Sequence, residues 1–217
     1  MTDLGAVLRL LYRGPRGAAR CVANPYRDGV AGLDGPAAAR RRRRNLEAYC
    51  QGVVGRPCLI LVGEALGYRG GRFSGIAFTS ERQLAGGGPK RLAWAAGGGF
   101  RATSSNAALW SEPSGTIVWR ALGDDPRGVL LWNAFPWHPW GGRGPLSNRT
   151  PERSLLFANL HVLERLLAET GGAEVLAVGK TAQVALAACG LAAPALRHPA
   201  HGGAAIFRSQ LERHLRR

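Results

Sequence analysis

Three short segments, in fixed order, hold the residues whose types could do chemistry. Gly63-Glu64-Ala65-Leu66-Gly67 follows an apolar run and is answered by Gly75-Ile76-Ala77-Phe78. Leu130-Leu131-Trp132-Asn133-Ala134 follows a second apolar run, and Arg197-His198-Pro199 a third. Together they offer a carboxylate, an aromatic ring, an amide and an imidazole, a kit for holding a flat heterocycle and breaking its bond to a sugar. Such a cleavage builds positive charge on the sugar and negative charge on the departing base. Glu64 can position or deprotonate water and offset the sugar's charge. His198, as a neutral imidazole, can donate to the leaving base in the manner of an oxyanion donor. Asn133 has both a donor and an acceptor with which to read an edge, and Phe78 can stack on the ring. Backbone amides from Gly63, Ala65, Gly67 and Tyr68 can reach a base carbonyl or the water, because glycine permits close approach. The Tyr68 ring is a candidate for excluding the 5-methyl group of thymine.

These groups act together only if the fold gathers them. Each segment lies just past a predicted strand, and in an open parallel sheet such strand ends share the edge where ligands bind. Cys58 to Val62, Thr116 to Trp119, Val129 to Trp132 and Glu174 to Val178 read as strands. Helices are expected over Leu4 to Tyr12, from Pro36 through the arginine run to Tyr49, over Thr181 to Ala188 and over Ile206 to Leu215. Thr150-Pro151-Glu152 reads as the start of one long helix to about Glu169, with Thr150 as its cap and Leu155, Leu156, Leu160, Leu163, Leu166 and Leu167 on its buried face. Residues 85–99 and 137–148 read as loops. Strands alternating with helices indicate an α/β fold with a parallel sheet. The 217 residues suit one domain, 1–217, with residues 1–50 as a basic helical N-terminal extension.

Charge points to the partner. The formal net charge is +15, and Lys90 and Lys180 are the only lysines, so the basic groups are nearly all arginine. Arginine is the better fork for phosphate, which indicates an anionic polymer such as nucleic acid; a genome rich in arginine codons accounts for the arginine bias but less well for the shortage of acids. Arg40 to Arg44 on a helix cannot share one face and reads as a basic collar. The four cysteines, Cys21, Cys50, Cys58 and Cys189, show no CxxC spacing and read as buried free thiols. No secretory signal or membrane-length apolar run is seen, so the expected location is the bacterial cytoplasm or nucleoid; no long apolar amphipathic surface is left over, so the expected state is a monomer. Gly179-Lys180-Thr181 is not a P-loop, since Glu174 stands where the first glycine belongs.

The order of these motifs resembles the uracil-DNA glycosylase superfamily, from about Cys58 to Phe207. Gly63 to Gly67 is similar to the GEAPG motif of the bacterial family-four enzymes, with a spacing to Phe78 closer to the single-strand-selective branch. Trp132-Asn133-Ala134, Asn148-Arg149-Thr150-Pro151, Val178-Gly179-Lys180-Thr181-Ala182 and His198-Pro199 resemble the later motifs. The resemblance implies a three-layer α/β/α fold around a mainly parallel four-stranded sheet. It also implies removal of uracil, or another deaminated base such as hypoxanthine or xanthine, from DNA by base flipping; a DNA-binding homologue without catalysis is the remaining reading. Glu64 and His198 would be catalytic. Gly63, Ala65, Gly67, Tyr68, Phe78 and Asn133 would bind the base, and Arg149, Lys180, Arg197 and His201 the DNA. The family-four iron–sulfur cysteine pattern is absent, so no cofactor or metal is expected. Leu66 replaces a proline, which implies a less rigid loop. Ala200-His201-Gly202-Gly203 replaces the usual leucine wedge, which implies a preference for single-stranded or mismatched substrate. No lysine lies in the three motifs, which speaks against a Schiff-base lyase step.

Overall fold

A computed structural model describes residues 4–17, 20–53, 57–87, 99–123 and 128–216. Four parallel strands form the sheet, in the order β3-β2-β5-β6: β2 (Leu59–Ala65), β3 (Val129–Phe135), β5 (Glu174–Val178) and β6 (Ala195–Leu196). Two further strands, β1 (Val22–Ala23) and β4 (His138–Pro139), pair antiparallel outside it. The helices are α1 (Leu4–Arg13), α2 (Ala38–Gly52), α3 (Gly71–Ser74), α4 (Pro113–Leu122), α5 (Arg153–Ala158), α6 (His161–Glu169), α7 (Lys180–Ala188) and α8 (Ala204–Leu215). They flank the sheet in a three-layer α/β/α arrangement. The β2, β3 and β5 runs are apolar on both faces because both are covered: Ile60, Leu61, Leu130 and Leu176 are all fully buried or nearly so.

The arginine run is not a solvated collar. Arg42 is 0% exposed; it bonds Asp34 at 2.8 Å and the Pro25 carbonyl at 2.6 Å. Asp34 also takes a two-pronged bond from Arg72 of α3, at 3.0 and 2.9 Å. Arg43 lies over the Tyr12 ring and donates to Tyr26 O, while Arg40 and Arg44 are exposed. Val7, Leu8 and Leu11 of α1 and Leu46 and Tyr49 of α2 enter the same core as the sheet. The Tyr49 hydroxyl accepts from Leu131 N–H and donates to Val129 O, satisfying backbone groups on the outer side of edge strand β3.

Other expectations are corrected. Thr116 to Trp119 is helical, inside α4, which begins at Pro113. A β-branched run with tryptophan favours a strand locally, but Gly115, Val118, Trp119 and Leu122 are buried at helical spacing. The long helix is two, α5 and α6, because Asn159 turns its amide on the Leu155 carbonyl and on Arg16. Thr150 does not cap; the residue before α5 is Glu152, paired with Arg149. Leu155 and Leu167 are only partly buried. Cys50 is buried, its thiol pushed up to about 12, chiefly by desolvation, but Cys21 and Cys58 are exposed. Within 85–99, Gln83–Gly87 is a π-helical turn, and residues 88–98 lie outside the described residues. The 137–148 stretch contains β4.

Candidate active site at the carboxyl edge of the sheet

Strand register does the first part of the assembly. Gly63 of β2 sits directly opposite Asn133 of β3. A methyl group at position 63 would lie 2.4 Å from Phe78 Cζ and 2.6 Å from Asn133 Oδ1. Glycine is therefore what lets the ring and the amide close over the strand end. Phe78 holds its ring there from a left-handed backbone, φ +53°. For a bulky L-residue that conformation costs about 1–2 kcal/mol, and such strain gathers at functional sites. Its carbonyl packs so closely on Gly115 that a methyl group there would lie 2.3 Å away.

Glu64, next along β2, accepts a hydrogen bond from Thr181 Oγ1 at 2.5 Å. Among the described residues this is the bond the carboxylate receives, at Oε2. His198 reaches the same edge from the loop after β6. Its Nδ1 accepts the Ala200 N–H at 3.1 Å. A neutral ring in that setting carries its proton on Nε2. Burial lowers its pKa below the usual histidine value; Glu64 opposes this, and His201 and Arg197 reinforce it. The neutral imidazole needed for a hydrogen-bond donor is thus the favoured form at neutral pH.

A cavity of about 400 Å³ gathers Glu64, Ala65, Gly67, Phe78, Asn133, Arg149, His198 and His201. Gly63 is not among its lining residues; it packs against Phe78 and Asn133, which are. Tyr68, Lys180 and Arg197 are not among its lining residues. The Tyr68 ring packs edge-on against Trp110, while its N–H donates to Asn148 Oδ1. Lys180 and Arg197 are exposed on the surface. Leu66 is buried and held at both backbone groups, its N–H by Trp137 O and its carbonyl 2.7 Å from His138 Nδ1. Tertiary bonds thus supply rigidity where the proline is missing.

A model of the uracil DNA glycosylase superfamily matches residues 52–209. The chain belongs to the uracil DNA glycosylase superfamily. A comparison with curated proteins returns no match. Members of this superfamily are DNA glycosylases, hydrolases that remove damaged bases in base excision repair, and that coarse assignment extends to this chain. DNA is the substrate polymer, which agrees with the net charge of +15. No helix among the described residues is long and apolar enough to cross a membrane.

Three residues of this candidate site escaped the sequence reading. Thr181 was visible in the Val178 to Ala182 turn, but nothing local ties it to Glu64. Asn148 lines the cavity and holds the Tyr68 amide; it stood in a recognised motif without a role. Glu112 also lines the cavity, and burial pushes its carboxyl up to about 7. Its signal was an acid immediately before a proline that opens a helix.

Proposed function

We propose that the protein is a monofunctional glycosylase that flips uracil out of DNA and hydrolyses its N-glycosidic bond. The observation that supports this best is the meeting of Glu64, Phe78, Asn133 and His198 in one cavity, with the His198 ring tethered through Nδ1. Phe78 stacks on the flipped uracil. The Asn133 amide donates to O4 and accepts from N3–H, a pattern that cytosine reverses. As the C1′–N1 bond breaks, its electrons pass to the base, and His198 Nε2–H donates to the oxygen where the charge collects. Glu64, held by Thr181, takes a proton from water as the water oxygen bonds C1′. Uracil leaves as its N1 anion and takes a proton from solvent, and Glu64 gives its proton back to solvent, so the products are free uracil and an abasic site in an intact strand. Arg149, Lys180, Arg197 and His201 hold phosphates around the cavity mouth, and Ala200-His201-Gly202-Gly203 favours bases that cost little to unstack.

The test is single-turnover cleavage of labelled oligonucleotides followed by hot alkali. Uracil is placed in single strands, opposite adenine and opposite guanine, with hypoxanthine and thymine beside it. Alkali-dependent breakage at uracil, lost in Asn133→Ala, is expected. Breakage at hypoxanthine instead moves the reading to another deaminated base. Tight, salt-sensitive binding with no breakage anywhere moves it to a binding protein.

A further inference from the structure

One ionisable group of the cavity has no part in the reaction proposed above. Glu112 precedes Pro113 at the head of α4 and lines the cavity with Glu64, Phe78, Asn133 and His198. As a whole residue it is half-buried, yet its Oε2 has no contact with solvent and no hydrogen-bond partner. Helix capping, the ordinary use of an acid at this position, does not explain it: the Glu112 carbonyl accepts from Thr116, but the side chain makes no cap bond. The carboxyl instead lies against a bare stretch of loop. A methyl group at Gly70 would come 2.3 Å from its Oε2, and one at Gly67 would come 2.7 Å from its Oε1. A buried carboxyl oxygen without a partner is costly, and costlier when the group is ionised, so the site favours the protonated acid; the other oxygen, Oε1, on the side of the cavity-lining Gly67, is the one left to a ligand.

We propose that Glu112 determines specificity by hydrogen-bonding the exocyclic oxygen that deamination leaves on the flipped base. The proposal rests on reading the cavity as a base pocket. A neutral carboxyl offers an O–H to that oxygen, whereas cytosine presents an amino donor at the same place. Once ionised, the carboxylate only accepts; it repels the oxygen and receives the amino group. Desolvation holds the acid at about 7, so its neutral fraction falls about tenfold between pH 6 and pH 8. Among the described residues, the cavity brings Glu64, Arg149, His198 and His201 near it, and the loop from Gly67 to Gly70 and the start of α3 carry Tyr68, Arg69 and Arg72. None of these is among the causes of the Glu112 shift.

The experiment is ligand-observed NMR titration of free uracil and free cytosine at pH 6 and pH 8. Wild type, Glu112→Gln and Glu112→Ala are compared, with melting temperatures and single-turnover uracil excision on the same preparations. Uracil binding by wild type should weaken at least fivefold from pH 6 to pH 8, with no such loss for cytosine. Glu112→Gln, whose amide keeps a donor, should hold its uracil affinity at both pH values. Glu112→Ala should lose about tenfold at pH 6; if it fails to fold, Glu112→Gln decides. The proposal is overturned if the wild-type slope survives in Glu112→Gln, which would assign it to another group. It is equally overturned if Glu112→Ala binds like wild type, or if no base binds at pH 6. The expected binding pattern in a protein that leaves uracil in DNA would remove the excision reading and keep this one. Excision that is indifferent to Glu112→Ala, with flat binding, would do the reverse.

Discussion

The Thr181 hydroxyl donates to Glu64 Oε2 across 2.5 Å, joining the end of β2 to the first turn of α7 over 117 residues of chain. The bond holds the carboxylate through one of its two oxygens. In Thr181→Val, which keeps the shape and loses the hydroxyl, the maximal single-turnover rate should fall about ten- to a hundredfold. The substrate concentration at half-saturation should change little. Thr181→Ser should recover most of the rate, and a Val variant as fast as wild type would show that Glu64 needs no such guide.

His198 should act as a neutral donor. Its lowered pKa, set first by burial, keeps the ring neutral below the ordinary histidine value of about 6.5. The acid limb of the rate should therefore lie below pH 6.5, where protonation of Nδ1 displaces the Ala200 N–H. His198→Gln should cost about a hundred- to a thousandfold in the maximal rate. Because Glu64 raises the His198 pKa, Glu64→Gln should move the ring's NMR titration further toward acid. A move toward base would contradict the arrangement.

Gly63→Ala should disable the site more than it disturbs the fold. The added methyl group meets the Phe78 ring and the Asn133 amide together, at 2.4 and 2.6 Å. Excision should drop by about a hundredfold or more, with the melting temperature changing far less than in a variant of the deep core. Comparing single-turnover rates with thermal melts separates the two effects.

Asp34 is the counter-ion of two buried guanidinium groups, Arg42 and Arg72. Asp34→Ala should destabilise the protein by about 3–5 kcal/mol, because it leaves both charges buried and unanswered. Urea unfolding would measure this, and an effect below about 1 kcal/mol would mean that water or the carbonyls replace the carboxylate. Burial alone would raise the Asp34 pKa, but bonds from Arg72 and Arg42 bring it below the usual value. Its contribution to stability is therefore present above the ordinary carboxylate range and is lost as pH falls through the lowered value.

Strands β2, β3 and β5 were legible because a buried parallel strand needs a continuous apolar run, and Glu64 and Asn133 could be named because they end two of those runs. His198 follows β6, whose two residues are too short to show as a run, and was named from its motif. Helix α4 was not legible, because Thr116-Ile117-Val118-Trp119 has strand propensity while its burial follows a helix. Misreading it hid Glu112, which stands at its head. Arg42 reads as surface in a run of five arginines; only Asp34 and the carbonyls around it, brought close by tertiary packing, make it an interior residue. Thr181 and Asn148 share that cause, since their partners are set by how strand ends and loops meet in space.

The clasp around Asp34 has a consequence for how the chain can be cut. The superfamily match begins at residue 52. Arg72 lies inside that boundary and Asp34 outside it, as do Tyr26, which bonds Gly75 O, and Tyr49, which bonds Leu131 N–H. A fragment trimmed to the match would carry a stranded guanidinium, widowed backbone groups such as Gly75 O, Leu131 N–H and Val129 O, and an uncovered flank of β3. The stretch that kinship recognises is shorter than the core that packs around it.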